Sequence, residues 1–456
     1  MQVASRWTAR WLGLVVWVWA EAAAAAGGRE LLRDPAFARG FAVLAPTPGK
    51  QVIVREVRFD PDAGEPVWRL AQWNSRFSLE TAPLLRTSQG GWALTNRAKT
   101  VIVEAPGRPE AELTLGVDSR PEYDRYRQPG EPWPHLLVSQ SIPDCPPLDT
   151  LEAMPLHLKA RVTQNEVFRG EGYREDLHAA QCPLVLIVRN FNRQSPGYGD
   201  FFWFSVPLFD DRWEFPPRHV ARDTADPSAK LIYNPGLRAF TDQTLMDGDW
   251  VDLTVDLLPH LREGLRTGWD LGCLQGSRDV GDYRIASFIL GWEVPGINRA
   301  EIRFRELSLQ AVPAAPQPGY PAFDFTDPEQ SAQWTPNQDI ASAVTTADGL
   351  ELTLAGHDPY LVGPPADYPP GQPLRLRLEL FSETAGPWQI FHYRTTPGEA
   401  NSVRFVAPAG QWVTARVPVP PLGRGHRLRI DPPGTQVVVR LPALDAARFH
   451  RLRPRP

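Results

Sequence analysis

The residues with the most chemistry in this chain gather between Asn192 and Arg218, NRQSPGYGDFFWFSVPLFDDRWEFPPR. Phe201, Phe202, Trp203, Phe204 and Phe209 supply ring faces, and Asp200, Asp210 and Asp211 bracket them with carboxylates. Rings take up the C–H faces of sugars, while carboxylates, amides and guanidinium groups pair with hydroxyls. The segment therefore points to glycan recognition, with Trp203 as a binding candidate. The same composition describes a buried strand between two loops, and it leaves binding and cutting equally open.

Other chemistries lack their residues. There is no phosphate-cradling glycine loop, no His-Glu-x-x-His and no Gly-x-Ser-x-Gly elbow. The formal net charge of −5 gives no electrostatic footprint for nucleic acid. No Cys-x-x-Cys or close Cys/His pair suggests zinc, so neither a metal site nor a cofactor is expected. A structural calcium remains an option, because loop Asp and Asn residues are plentiful. Cys145, Cys182 and Cys273 allow one disulfide or three thiols, and Cys182 sits in the apolar run CPLVLIV.

These groups need a scaffold, and the scaffold predicted is mostly β, two β-sandwich or jelly-roll domains. Residues 1–26 read as an export signal: Arg6 and Arg10 precede the ten apolar residues Trp11–Ala20, and a small-residue stretch follows. No later run is long enough to span a membrane. The expected location is secreted or periplasmic, with no membrane span once the signal is cleaved. The 48 prolines cut helices short and favour brief strands with rigid turns. A Pro/Ala linker, 311–322, separates a large domain, 27–310, from a smaller one, 323–447. A basic tail, 448–456, reads as a frayed terminus. In the small domain, LELTL, LRLRLELF, WQIFHY, SVRFV and WVTARVPV alternate apolar and polar positions, as half-buried strands do. In the large domain one helix is predicted, Leu257–Leu271. Its Leu257, Leu258, Leu261, Leu265 and Trp269 form one apolar stripe expected to lie across the outside of a sheet.

Three resemblances add roles. Residues Gly248–Leu309, with their lone helix and the strand IASFILGWEVPG, look like the end of the concanavalin-like jelly rolls of family 12 glucanases. The resemblance implies Glu293 as general acid/base and Asp200, in GDFFWF, as its partner carboxylate, although Asp200 departs by one position from the family's spacing. One residue of slip turns a strand side chain to the other face. His178-Ala-Ala-Gln181 and Lys230-Leu-Ile-Tyr233-Asn234 resemble the strands of jelly-roll polysaccharide lyases, which implies His178 as a base. The small domain is similar to galactose-binding-like carbohydrate-binding modules, from its opening FDF…W through GHDPYL. That resemblance implies Trp334, Tyr360, Trp388, His392 and Arg429 as binding residues. A polysaccharide or other glycan is the expected partner. The expected function is carbohydrate binding, with glycoside hydrolysis or lysis as alternatives and a structural or protein-binding role as a third.

Overall fold

The structure is a computed structural model and describes residues 28–49, 51–223, 230–314, 320–371, 374–434 and 438–448. The export segment 1–26 and His450–Arg455 of the basic tail lie outside these residues. Among the described residues no helix is long and apolar enough to cross a membrane.

The chain divides into two compact units between Pro313 and Ala314. The division lies inside the stretch read as a linker. Ala311 and Val312 are not linker but the buried end of the strand Asn298–Pro313. They belong to the sheet because Arg29 pairs with Ala311 and Ala153 with Val312.

The first unit is a β-sandwich. The sheet that carries the candidate site has nine strands: β1 (Phe41–Leu44), β2 (Ile53–Val57), β3 (Trp68–Ala71), β4 (His135–Ser141), β5 (Gln181–Asn190), β6 (Phe201–Asp210), β7 (His219–Arg222), β8 (Leu231–Asn234) and β9 (Tyr283–Glu293). Their order across the sheet is β7-β8-β6-β5-β9-β4-β3-β1-β2. The opposing sheet is built around the long strands Pro155–Val167 and Asn298–Pro313. Strand β5 shows why the sequence makes this layer. Every second residue of QCPLVLIVRN is buried, from Cys182 to Asn190, and the others face outward. Leu184, Leu186, Phe202, Phe204, Phe288 and Trp292 meet Leu113, Leu115, Leu156 and Phe304 of the opposing sheet in one core. The indole N–H of Trp292 reaches across it to the carbonyl of Leu115, at 2.8 Å.

Helix α1 (Leu258–Asp270) buries the predicted stripe completely, with Leu257, Leu261 and Leu265 at 0% exposure. Its position corrects the expectation. The helix packs on the inner face of the sheet, not the outer one. A Cβ on Gly264 would lie 2.7 Å from the Phe202 ring and 3.1 Å from Tyr233, both core residues. The outer face of β5, β6 and β9 is thereby left without a helix over it from α1.

The second unit is a smaller sandwich. A six-stranded sheet includes Gly349–Leu354, Leu374–Ser382 and Val413–Val419. A five-stranded sheet contains β10 (Leu361–Val362), β11 (Gly386–Tyr393), β12 (Ser402–Ala407) and β13 (Arg427–Asp431), ordered β10-β13-β11-β12 after the short Thr335–Pro336. Its core joins Leu352, Leu376 and Leu378 to Trp388, Ile390 and Ile430. The three cysteines are free thiols, two of them buried. Burial pushes the Cys145 thiol up to about 11.

Candidate functional site

Antiparallel pairing puts directly opposed residues on the same face. Glu293, the last residue of β9, is opposed by Gln181 on one side and His135 on the other. Gln181 is itself opposed by Asp210 of β6. One outward row therefore reads Asp210–Gln181–Glu293–His135. A bulge in β6 next to Phe209 keeps Asp210 on this face while Phe209 packs inward on Trp292.

The row has a clear internal chemistry. Asp210 accepts from the amide of Gln181 at 2.7 Å and from Arg212 at 2.6 and 2.8 Å, so its charge is balanced locally. Glu293 is different: its carboxylate stands 4.0 Å from His135 Nε2 and its side chain is 28% exposed. His135 lies between two indoles, stacked on Trp133 and edge-on to Trp73, each 5.7 Å away. Trp73 Nε1, Trp133 Nε1 and His135 Nδ1 are buried and have no hydrogen-bond partner among the described residues. Two indole rings, an imidazole, a carboxylate and an amide thus share one patch.

The framework around the patch is rigid. Gln72 donates to the Leu44 carbonyl at 2.9 Å and accepts from Leu79 N–H at 2.7 Å. Two residues beyond Trp73, Ser75 donates to Glu122, which forms a buried ion pair with Lys99 at 3.1 Å. The backbone of His135 donates to Trp73 O at 3.0 Å, and Val294 N–H donates to Pro134 O at 3.1 Å. Tyr123 donates to Val294 O at 2.8 Å. Loops on both sides of Glu293 are therefore fixed by buried polar contacts, the condition for a preformed site.

The remaining candidates fall in different places. Asp200 precedes β6 at the far end of the sheet, where its carbonyl accepts from Asn190, and its carboxylate pairs with Lys230. Gln181 and Asn190 are the two ends of β5, so Asp200 and Glu293 stand about 30 Å apart at 3.3 Å per residue. That separation overturns Asp200 as the partner of Glu293. His178 is 1% exposed. Its Nδ1 accepts from Arg174 N–H at 2.8 Å and its Nε2 meets the Arg127 carbonyl at 2.9 Å. Both nitrogens are occupied, which leaves no lone pair for a base. Tyr233, the lyase-like tyrosine, is in the core. Trp203 faces outward on β6, edge-on to Phe201 at 5.3 Å, with its indole N–H unpartnered.

In the second unit the candidates divide by strand parity. Trp388 is wholly buried and stacks on Phe405, and Trp334 is wedged among Phe323, Phe325 and Gly363. His392 opposes the buried Leu428 and is 7% exposed. These three are core residues, a correction to their reading as sugar contacts. Burial holds the His392 imidazole below its usual range, with His426 adding to the effect. Arg429 and Tyr360 do meet on the outer face. The Arg429 guanidinium lies 3.7 Å over the Tyr360 ring and 4.8 Å over Phe391, its direct cross-strand neighbour. Asp431 binds it through two hydrogen bonds, at 2.6 and 2.8 Å.

Trp73, Trp133 and His135 were not singled out from the sequence, and Gln181 was named only beside His178 in the lyase-like segment. The available signal was Trp133-Pro-His135 beside a Gln-Trp-Asn triplet, aromatics abutting short apolar runs. Among the described residues no group of three or more His, Cys, Asp or Glu side chains is gathered as a metal ion requires.

No family model and no curated protein matches the chain. Solved structures do align with it. The native family 12 xyloglucanase from Bacillus licheniformis aligns at 8% identity over 50% of this chain and 97% of its own, with a TM-score of 0.29. The xyloglucanase domain of a type three effector from Sinorhizobium fredii, in complex with cellobiose, aligns at 11% identity over 50% and 99%, with a TM-score of 0.25. The tandem CBM22 domains of Paenibacillus barcinonensis Xyn10C align at 14% identity over 80% and 97%, with a TM-score of 0.23. These are the two kinds of structure that the sequence resembles, a family 12 enzyme and a carbohydrate-binding module. At these scores the alignments carry no functional weight, which rests on the residues themselves.

Proposed function

We propose that this protein is an exported polysaccharide-binding protein that holds its ligand on the outer face of the nine-stranded sheet without cleaving it. The observation that supports binding over hydrolysis is the identity of the two residues opposite Glu293. They are Gln181 and His135, and neither is a carboxylate. Retaining hydrolysis needs two carboxyls about 5–5.5 Å apart, the reach of direct cross-strand neighbours, and inverting hydrolysis needs about 6.5–9.5 Å. Asp210 is two strands away, roughly 10 Å between backbones. It is engaged by Arg212 and Gln181 and its side chain is 8% exposed. A base that activates water needs a free, wet lone pair, and Asp210 has neither.

In this reading Trp73 and Trp133 take the sugar C–H faces. Glu293 and the oxygen of Gln181 accept from hydroxyls. Tyr360 and Arg429 of the second unit offer a second, stacking surface. The test is retention on a panel of insoluble and soluble polysaccharides, followed by reducing-sugar release from whichever is retained. Retention without release is expected for the wild type and for Glu293→Gln. Sugar release by the wild type that disappears in Glu293→Gln overturns the reading in favour of hydrolysis. Retention on no member of the panel removes the binding function altogether.

A further inference from the structure

The same outer face has a second end, about 26 Å from Glu293 along the eight residue steps from Gln181 to Arg189. There Arg284 of β9 stands directly opposite Arg189 of β5, and Arg189 directly opposite Phe201 of β6. The arrangement depends on a bulge. The register between β5 and β9 shifts at Ile187/Val188, so that Ile285 pairs inward with Val188 and Arg284 comes outward beside Arg189. An unbroken alternation from Glu293 would have placed Ile285 outside and Arg284 in the core.

Like charges placed directly opposite one another in a sheet are destabilising. Here neither guanidinium has a hydrogen bond or ion pair with a carboxylate among the described residues, and the Nε of each is buried without a partner. Rings back them instead: Phe201 lies 5.5 Å from Arg189, and Phe191 lies 6.0 Å from Arg284. The surrounding charges do not neutralise the pair. Lys230, which immediately precedes β8, sits 5.2 Å over Phe201 and has taken Asp200 for itself. Burial holds the Arg284 guanidinium below its usual value, although the nearby Cys145 and Asp149 act in the opposite direction. Trp203 lies on the same face, edge-on to Phe201.

We propose that Arg189 and Arg284 form a subsite for the carboxylate of a uronic acid, so that the ligand is a mixed glycan with neutral sugars toward Glu293 and an acidic sugar at the arginine end. This proposal rests on the polysaccharide-binding reading. The carboxylate is favoured because two planar forks side by side match its geometry, and an anion relieves their mutual repulsion. The mixed glycan follows from the acid at the other end. A polymer with a carboxylate on every sugar would set one against Glu293.

The experiment compares glucuronoxylan oligosaccharides with the same oligosaccharides after carboxyl reduction, by calorimetry on the full chain. Sodium glucuronate and sodium sulfate serve as small probes in thermal melts. Arg189→Gln and Arg284→Gln should each weaken glucuronoxylan binding by roughly tenfold or more, the scale of a lost charged hydrogen bond. Both should leave the reduced form unaffected, and Arg189→Lys should recover part of the loss. The wild-type melting temperature should rise with glucuronate, and that rise should vanish in both Gln variants. Equal affinity of the wild type for the two oligosaccharide forms overturns the subsite, as does unchanged uronate binding in both variants. A larger melting shift with sulfate than with glucuronate overturns the carboxylate assignment. Loss of the reduced form in Trp73→Ala, with both arginine variants behaving as wild type, would sink this inference while leaving the binding reading in place.

Discussion

The outer faces of the two units use similar side chains in opposite states. On the first unit, Glu293 is 28% exposed and only loosely engaged by His135, at 4.0 Å. On the second, Arg429 is held by Asp431, and the amide of Gln389 donates to Glu399 and Ser402 at 3.0 and 2.7 Å. A polar group already satisfied by the protein gains little from a hydroxyl, because one hydrogen bond replaces another. An exposed carboxylate with acceptor sites left open, as on Glu293, gains more. The comparison teaches that aromatic and charged content is a poor guide to a binding face. The hydrogen bonds left unmade distinguish the first face, which should supply orientation and most of the affinity, from the second, which should supply stacking.

The largest expected effect tests whether the two units are energetically separate. Leu261→Ala removes a fully buried side chain of helix α1 and should cost about 2–5 kcal/mol. In calorimetry it should lower one unfolding transition and leave the other where it was. A single transition that moves as a whole would merge the two units into one folding body.

Next in size are the indoles. Trp73→Ala or Trp133→Ala should each weaken binding to the best-retained glycan by about 1–3 kcal/mol, since each removes a ring face. Binding curves that coincide with the wild type would reverse the ranking of the two faces. Arg429→Ala should have a smaller effect on binding, about 1 kcal/mol or less, because the guanidinium is already paired. A larger loss than that of either tryptophan would make the second unit the principal binder.

The smallest effect is a slope. Burial raises the Asp211 carboxyl from 3.8 to about 6, beside its hydrogen bond from Asn298 at 2.6 Å. In the unfolded chain this group ionises first as pH rises. Its contribution is therefore most favourable below about pH 4, falls between about pH 4 and 6, and is constant above. Asp211→Asn should remove that fall from a plot of melting temperature against pH. A plot that keeps it would assign the titration elsewhere.

Much of the framework was legible without coordinates. The predicted strand LRLRLELF is Leu374–Ser382 short of its last residue, and the predicted helix is α1 within a residue at each end. Periods of 2 and 3.6 are local properties, and apolar residues at those periods have one low-energy solution each. Strands β3 and β4 were missed, and with them Trp73, two residues beyond β3, and His135, the first residue of β4. β3 is short, and in β4 three consecutive residues, Leu136 to Val138, are buried, so neither alternates.

The site itself was not legible, and the reason is physical. Composition and local period are enough for the β class, the buried stripe of the helix and the supply of aromatic and charged side chains. Strand pairing is what sets Gln181 and His135, rather than Asp200, beside Glu293, and brings Arg284 out next to Arg189. Those neighbours belong to strands far apart in the chain, and their pairing is set by register. A single bulged residue reverses which side chains meet water, and no local period records where that bulge falls.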